Sequence, residues 1–119
     1  AAPRRQRAAR RRVVTLTSDN IIGTMPYGAT KAADNAVALK AAATLGPRSV
    51  TVNVINPGPN DTGWFDEDVE RVVAERNLLP GKGGPQDTAN LIRFLFSPEG
   101  GCITGQLLYS NGGFRPTAA

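Results

Sequence analysis

Tyr27 and Lys31 stand four residues apart in the run YGATKAA (27–33). On a helix that spacing puts both side chains on one face, one turn above the other. An ammonium beside a phenol favours the phenolate, which makes tyrosine a usable acid or base near neutral pH. Ser18 lies nine positions upstream of Tyr27, and its hydroxyl can hold an oxygen that Tyr27 protonates. Taken alone the spacing is weak. With two Tyr and three Lys in the chain, chance supplies a Tyr-x-x-x-Lys match about one time in twenty. The competing reading is the solvated start of an ordinary helix.

The elements that must position these residues raise the signal. Val13–Thr17 (VVTLT) is a β-branched run that predicts a buried strand. Ser18–Pro26 reads as a loop, with Gly23 and Pro26 as punctuation. A helix is predicted from Tyr27 to Leu45, ended by Gly46-Pro47. Its residues Ala29, Ala33, Ala36, Val37 and Leu45 are expected to pack on a sheet or another helix. Val50–Ile55 predicts a second strand, stopped by Asn56-Pro57-Gly58-Pro59. An acidic helix follows from Phe65 to Asn77, with Asp66, Glu67 and Asp68 suiting its N-terminus. Pro80–Gly84 (PGKGG) is a loop; it lacks the spacing of a phosphate-binding loop. Pro85 opens a helix to Phe96 with Leu91, Ile92, Leu95 and Phe96 on its buried side. A last short strand is expected near Gln106–Ser110, before Asn111-Gly112-Gly113. This order implies right-handed crossovers and a parallel sheet, so the fold class is α/β. In such sheets ligands collect at the carboxyl ends of the strands. Ser18 and the Asn-Pro-Gly turn both fall there.

Composition narrows the chemistry. The 119 residues fit one small domain and contain no apolar run long enough to span a membrane. The absence of histidine excludes His-based triads and HExxH sites, and with one cysteine no zinc or other metal site is expected. The single Cys102 permits no internal disulfide, which fits an intracellular, cytoplasmic chain, and it reads as a small packing residue. Trp64 and Phe65 read as lid or core residues. The formal charge of +4 comes from residues 1–12, which hold six arginines and no acid; the remainder has eight basic and ten acidic residues. Residues 1–12 read as a basic, disordered tail. It is compatible with binding nucleic acid or an acidic surface, with the end of a transit peptide, or with an accident of the chain's start, since residue 1 is Ala. A lone basic run is a weak sign of nucleic-acid binding.

Residues 13–115 resemble the C-terminal half of a short-chain dehydrogenase/reductase, of the 3-oxoacyl-(acyl-carrier-protein) reductase kind. The resemblance rests on VVTLTS (13–18), YGATKAA (27–33), VNVINPGPNDTGW (52–64), GGPQDTANLIRFLFSPEG (83–100) and ITGQLLYSNGG (103–113). It implies the last three strands of a partial, Rossmann-like doubly wound sheet. It implies reduction of a carbonyl to an alcohol, or the reverse, with NADP or NAD. Tyr27 resembles the proton donor, Lys31 the lysine that tunes it and bonds the nicotinamide ribose, and Ser18 the serine that steadies the carbonyl oxygen. Pro57, Gly58, Asn60 and Thr62 fall on the turn that touches the nicotinamide end, Asn60 being an unusual side chain there. The helix 27–45 resembles the family's subunit interface, so a homo-oligomer is expected; a non-catalytic dimerisation module is the alternative.

The chain departs from the family in two ways. It contains no glycine-rich turn to cradle the pyrophosphate and no counterpart of the family's catalytic asparagine. The Ser18–Tyr27 interval is also shorter than the family's. The resemblance therefore implies weak dinucleotide binding and no turnover by this chain alone. It also implies an exposed apolar edge at Val13–Thr17 that invites assembly.

Overall fold

Val50–Asn56 is buried at every residue and forms the middle strand, β2, of a three-stranded parallel sheet. The computed structural model describes residues 11–18 and 25–115. On one side of β2 lies β1, Arg11–Leu16, and on the other β3, Leu107–Tyr109. The helices are α1, Tyr27–Leu45; α2, Glu67–Arg76; and α3, Pro85–Phe96. Short 3-10 turns at Gly46–Arg48 and Pro98–Gly100 end α1 and α3. The α/β class and the bounds of α1 and α3 agree with expectation. No helix among the described residues is long and apolar enough to cross a membrane.

Alternation along β2 sends Val50, Val52 and Val54 to one face and Thr51, Asn53 and Ile55 to the other. The valine face packs with Ala38 and Ala42 of α1, flanked by Ala41, Leu45 and Leu107. The second face belongs to α3, as Arg12 shows. Arg12 pairs with Thr51 across the sheet, and its Nε donates to Leu95 O of α3 at 3.1 Å. That carbonyl lies in the last turn of α3, where carbonyls lack intrahelical partners and a cation is favoured. Asn53 is 1% exposed yet satisfied: Nδ2 donates to Ile103 O at 2.9 Å and Oδ1 accepts from Gln106 N at 3.1 Å. Its amide extends the β2–β3 contact ahead of β3 itself.

Several expectations need correction. Arg11 and Arg12 open β1 instead of ending a tail; residues 1–10 lie outside the described residues. On α1 the buried residues are Gly28, Ala38 and Ala42, while Ala29, Ala33 and Ala36 are exposed and Val37 is 68% exposed. Alanine covers nearly every side of this helix, so the sequence offers no apolar contrast to mark its buried stripe. On α3, Leu95 is buried and Leu91 and Ile92 half-buried, but Phe96 is 53% exposed. One step beyond Leu95 is a rotation of about 100° around the axis, which turns Phe96 away from the sheet.

The acidic helix begins two residues later than expected, because Asp66 is its N-cap: the Asp66 carboxylate accepts from Val69 N at 2.8 Å.

Candidate active site

Parallel pairing puts the carboxyl ends of β1 and β2 side by side. The register sets Leu16 against Ile55, and Thr17 N donates to Ile55 O at 2.9 Å. Ser18 stands two residues beyond β1, and Pro57 follows β2 directly. The turn after β2 and the serine after β1 thus share one end of the sheet.

Tyr27 is the first residue of α1 and is 46% exposed. Lys31 follows one turn later. Its Nζ lies 5.9 Å from the centre of the Tyr27 ring and donates to Leu16 O at 2.9 Å. One ammonium therefore joins the start of α1 to the end of β1. It carries three N–H donors, so one bond to the strand leaves donors for a ligand. Ser18 is half-buried two residues beyond Leu16. The chain holds it within about 7 Å of that residue, Cα to Cα. The structure thus brings Tyr27 and Lys31 together, and Lys31 to the strand end; Ser18 joins them through its place on the chain. Residues 19–24, most of the short Ser18–Tyr27 loop, lie outside the described residues.

The turn after β2 is built from its own polar groups. Asn56 Oδ1 accepts from Gly58 N at 2.9 Å. Gly58 has φ +66°, and a Cβ there would lie 2.4 Å from Asn111 Cβ, so only glycine fits. Pro57 and Asn60 are half-buried and Thr62 is exposed. Asn60 pairs with Gly83 in an isolated parallel bridge, and its carbonyl accepts from Trp64 Nε1 at 3.0 Å. Thr17 Oγ1 and Asn60 Oδ1 are buried without a hydrogen-bond partner.

Beyond the expected residues the structure adds Asp61 and Lys82. Lys82 Nζ donates to Asp61 Oδ2 at 2.7 Å and to Glu70 Oε1. These bonds, Asp61 first, push the Lys82 ammonium up to about 12. The same bond, followed by that from Gly63 N, holds the Asp61 carboxyl below its ordinary value. The lone lysine of PGKGG is thus engaged by carboxylates. The signal that points to it is a single cation facing an acid-rich stretch, Asp61 to Glu70.

Comparison with known proteins agrees with this architecture. A family model described as enoyl-(acyl carrier protein) reductase matches residues 1–115. An uncharacterised oxidoreductase of Bacillus subtilis (strain 168) is 36% identical over 107 residues, 87% of this chain and 43% of the relative. The chloroplastic NADPH-dependent aldehyde reductase 2 of Arabidopsis thaliana is 36% identical over an alignment of 123 positions, covering 95% of this chain and 44% of the relative. A short-chain type dehydrogenase/reductase from Mycobacterium ulcerans superposes with a TM-score of 0.78 at 31% identity, over 86% of this chain and 40% of that one. The chain spans less than half the length of each of these relatives.

Proposed function

The chain belongs to the short-chain dehydrogenase/reductase family, and on that premise we propose that it carries the proton-transfer part of an NAD(P)-dependent carbonyl reductase. The observation that carries this reading is the Lys31 ammonium, bonded to Leu16 O at 2.9 Å and 5.9 Å from the centre of the Tyr27 ring. Tyr27 gives its hydroxyl proton to a carbonyl oxygen that is becoming an alkoxide. Lys31 offsets the negative charge left on the phenolate. Ser18 donates a hydrogen bond to the same oxygen and fixes the carbonyl's orientation. The reverse direction uses the same groups, with Tyr27 accepting the proton. A 3-oxoacyl thioester is the substrate class the motifs favour.

The residues present fit the nicotinamide end of a dinucleotide. Gly58 keeps the turn free of a side chain where it meets Asn111, and Thr17 Oγ1 and Asn60 Oδ1 are buried polar atoms without partners. When bound, the dinucleotide supplies or accepts the hydride. Lys31 would hold its ribose, and Pro57, Gly58, Asn60 and Thr62 would border its nicotinamide. The 119 residues contain no glycine-rich turn for the pyrophosphate, so this chain alone is expected to hold NADPH weakly.

The test joins this chain to the portion of the Bacillus subtilis relative that it does not match. NADPH oxidation is then followed with a 3-oxoacyl thioester and with an aldehyde. Tyr27→Phe is expected to lower kcat by about a thousandfold. An unchanged rate removes Tyr27 from the role.

A second reading, homo-oligomerisation through α1, is favoured by the apolar side chains that this helix exposes on either side of its buried stripe, Val37 at 68% and Leu39 at 37%. Light scattering is expected to show an oligomer that Val37→Asp dissociates. A monomer before the substitution removes this reading.

A further inference from the structure

The loop PGKGG offers no phosphate site, yet its lysine is bonded to two carboxylates from separate segments. We propose that Lys82 is a positioning residue, a cationic latch that fixes the turn from Asn60 to Phe65 beside the carboxyl end of β2. Three contacts converge on its ammonium: Asp61 in the turn, Glu70 on α2, and the Phe65 ring 5.8 Å away. The partners lie 21 and 12 residues away along the chain, so the contacts join separate segments. Beside them, Asn60 pairs with Gly83 through the backbone. A Cβ at Gly83 would sit 3.1 Å from Asn60 Oδ1, so the two loops pack directly.

Asp61 is the hub on the other side. Its Oδ1 accepts from Gly63 N at 3.0 Å, and its Oδ2 takes the lysine. One carboxylate therefore folds the turn around itself, and Lys82 holds that carboxylate against α2. The Asp61 side chain is 27% exposed and that of Lys82 45%, so the pair is open to solvent and screened in part by salt. The Asp68–Arg71 pair is different in kind. It spans one turn of α2, its side chains are 80% and 66% exposed, and it ties no second segment. Thr62 follows Asp61 directly, so fixing Asp61 fixes the residue proposed to border the nicotinamide. That consequence rests on the reductase reading; the latch itself is measured without ligand.

Trp64 is the only tryptophan, so its indole N–H gives one peak in a 15N-correlated spectrum. That N–H donates to Asn60 O inside the latched turn. Solvent exchange of this proton, with that of the Gly63 amide, is measured on the whole 119-residue chain. Lys82→Met is expected to raise exchange about fivefold, while Lys82→Arg, which restores the cation, stays within about twofold of the unaltered chain. In the unaltered chain 1 M NaCl is expected to raise exchange part of the way. Exchange unchanged in a folded Lys82→Met overturns the latch. Where Lys82→Met does not fold, the salt series decides: a rise supports the latch, and no change overturns it. Since no cofactor is present, failure of the reductase assay leaves these outcomes unaffected.

Discussion

Apart from the two arginines that open β1, β1 and β2 share β-branched runs, yet they live in different surroundings. β2 is buried throughout, with Val54 and Ile55 fully inaccessible, whereas β1 leaves Val13 39% and Leu16 43% exposed. The difference is one of neighbours. β2 has a strand on each side and α1 packed on its valine face; β1 has β2 on one side and no strand on the other among the described residues. The turns that follow them differ likewise. The turn after β2 is clamped by Asp61 and Lys82, while the end of β1 before Ser18 is bonded by the lysine that crosses from α1. A β-branched run thus specifies a strand, but what packs around it decides how firmly its end, and the site there, is held.

That contrast can be broken by unequal responses to substitution. Ile55→Ala is expected to cost about 3 to 4 kcal/mol, because it empties a fully enclosed site. Leu16→Ala, its cross-strand partner in register, is expected to cost about 1 kcal/mol or less, because nearly half its surface already meets water. Urea unfolding of the two variants checks both values, and equal losses would show that β1 is as enclosed as β2.

The smallest effect is one of pH, and it sharpens the comparison at the two turns. The Asp61 carboxyl is held below its ordinary 3.8, so its contribution is present above that value and is lost as pH falls through the lowered one. Lys82 is raised from 10.5 to about 12, so its contribution is full below 10.5 and is lost as pH rises through about 12. The groups facing Lys82 are Asp61 and Glu70, with Asp87 of α3 next door, bonding Gly84 N. The turn after β2 should stay closed between these limits and loosen beyond them. The Trp64 emission maximum, followed from pH 2 to 12, is expected to shift at both ends and stay flat between them.

Much of the fold was legible because local rules fix it. Proline and glycine bracket α1 and α3, and β-branched runs mark β1 and β2. Tyr27 and Lys31 were legible for the same reason, since a four-residue spacing is a statement about one helix face. Three things were not. Arg12 looked like tail because charge dominates its neighbourhood; its bond to Leu95 O depends on a helix that closes 83 residues later. The buried stripe of α1 was hidden by alanine on all sides. Asp61 and Lys82 lie on separate loops, and no periodicity links them; only the folded sheet brings them together.

The lateness of β3 has a consequence for how the chain is made. β2 finds β1 as soon as α1 has folded back, but its other edge, at Val54–Asn56, must wait for Leu107–Tyr109. At about 5 to 20 residues per second, the roughly fifty intervening residues occupy a ribosome for about 3 to 10 s. Through that interval the most deeply buried of the three described strands shows an unpaired edge, and Asn53 lacks both of its partners. Nascent chains are then at greatest risk of pairing with one another, and a chaperone that shields β2 until β3 emerges would have its largest effect in those seconds.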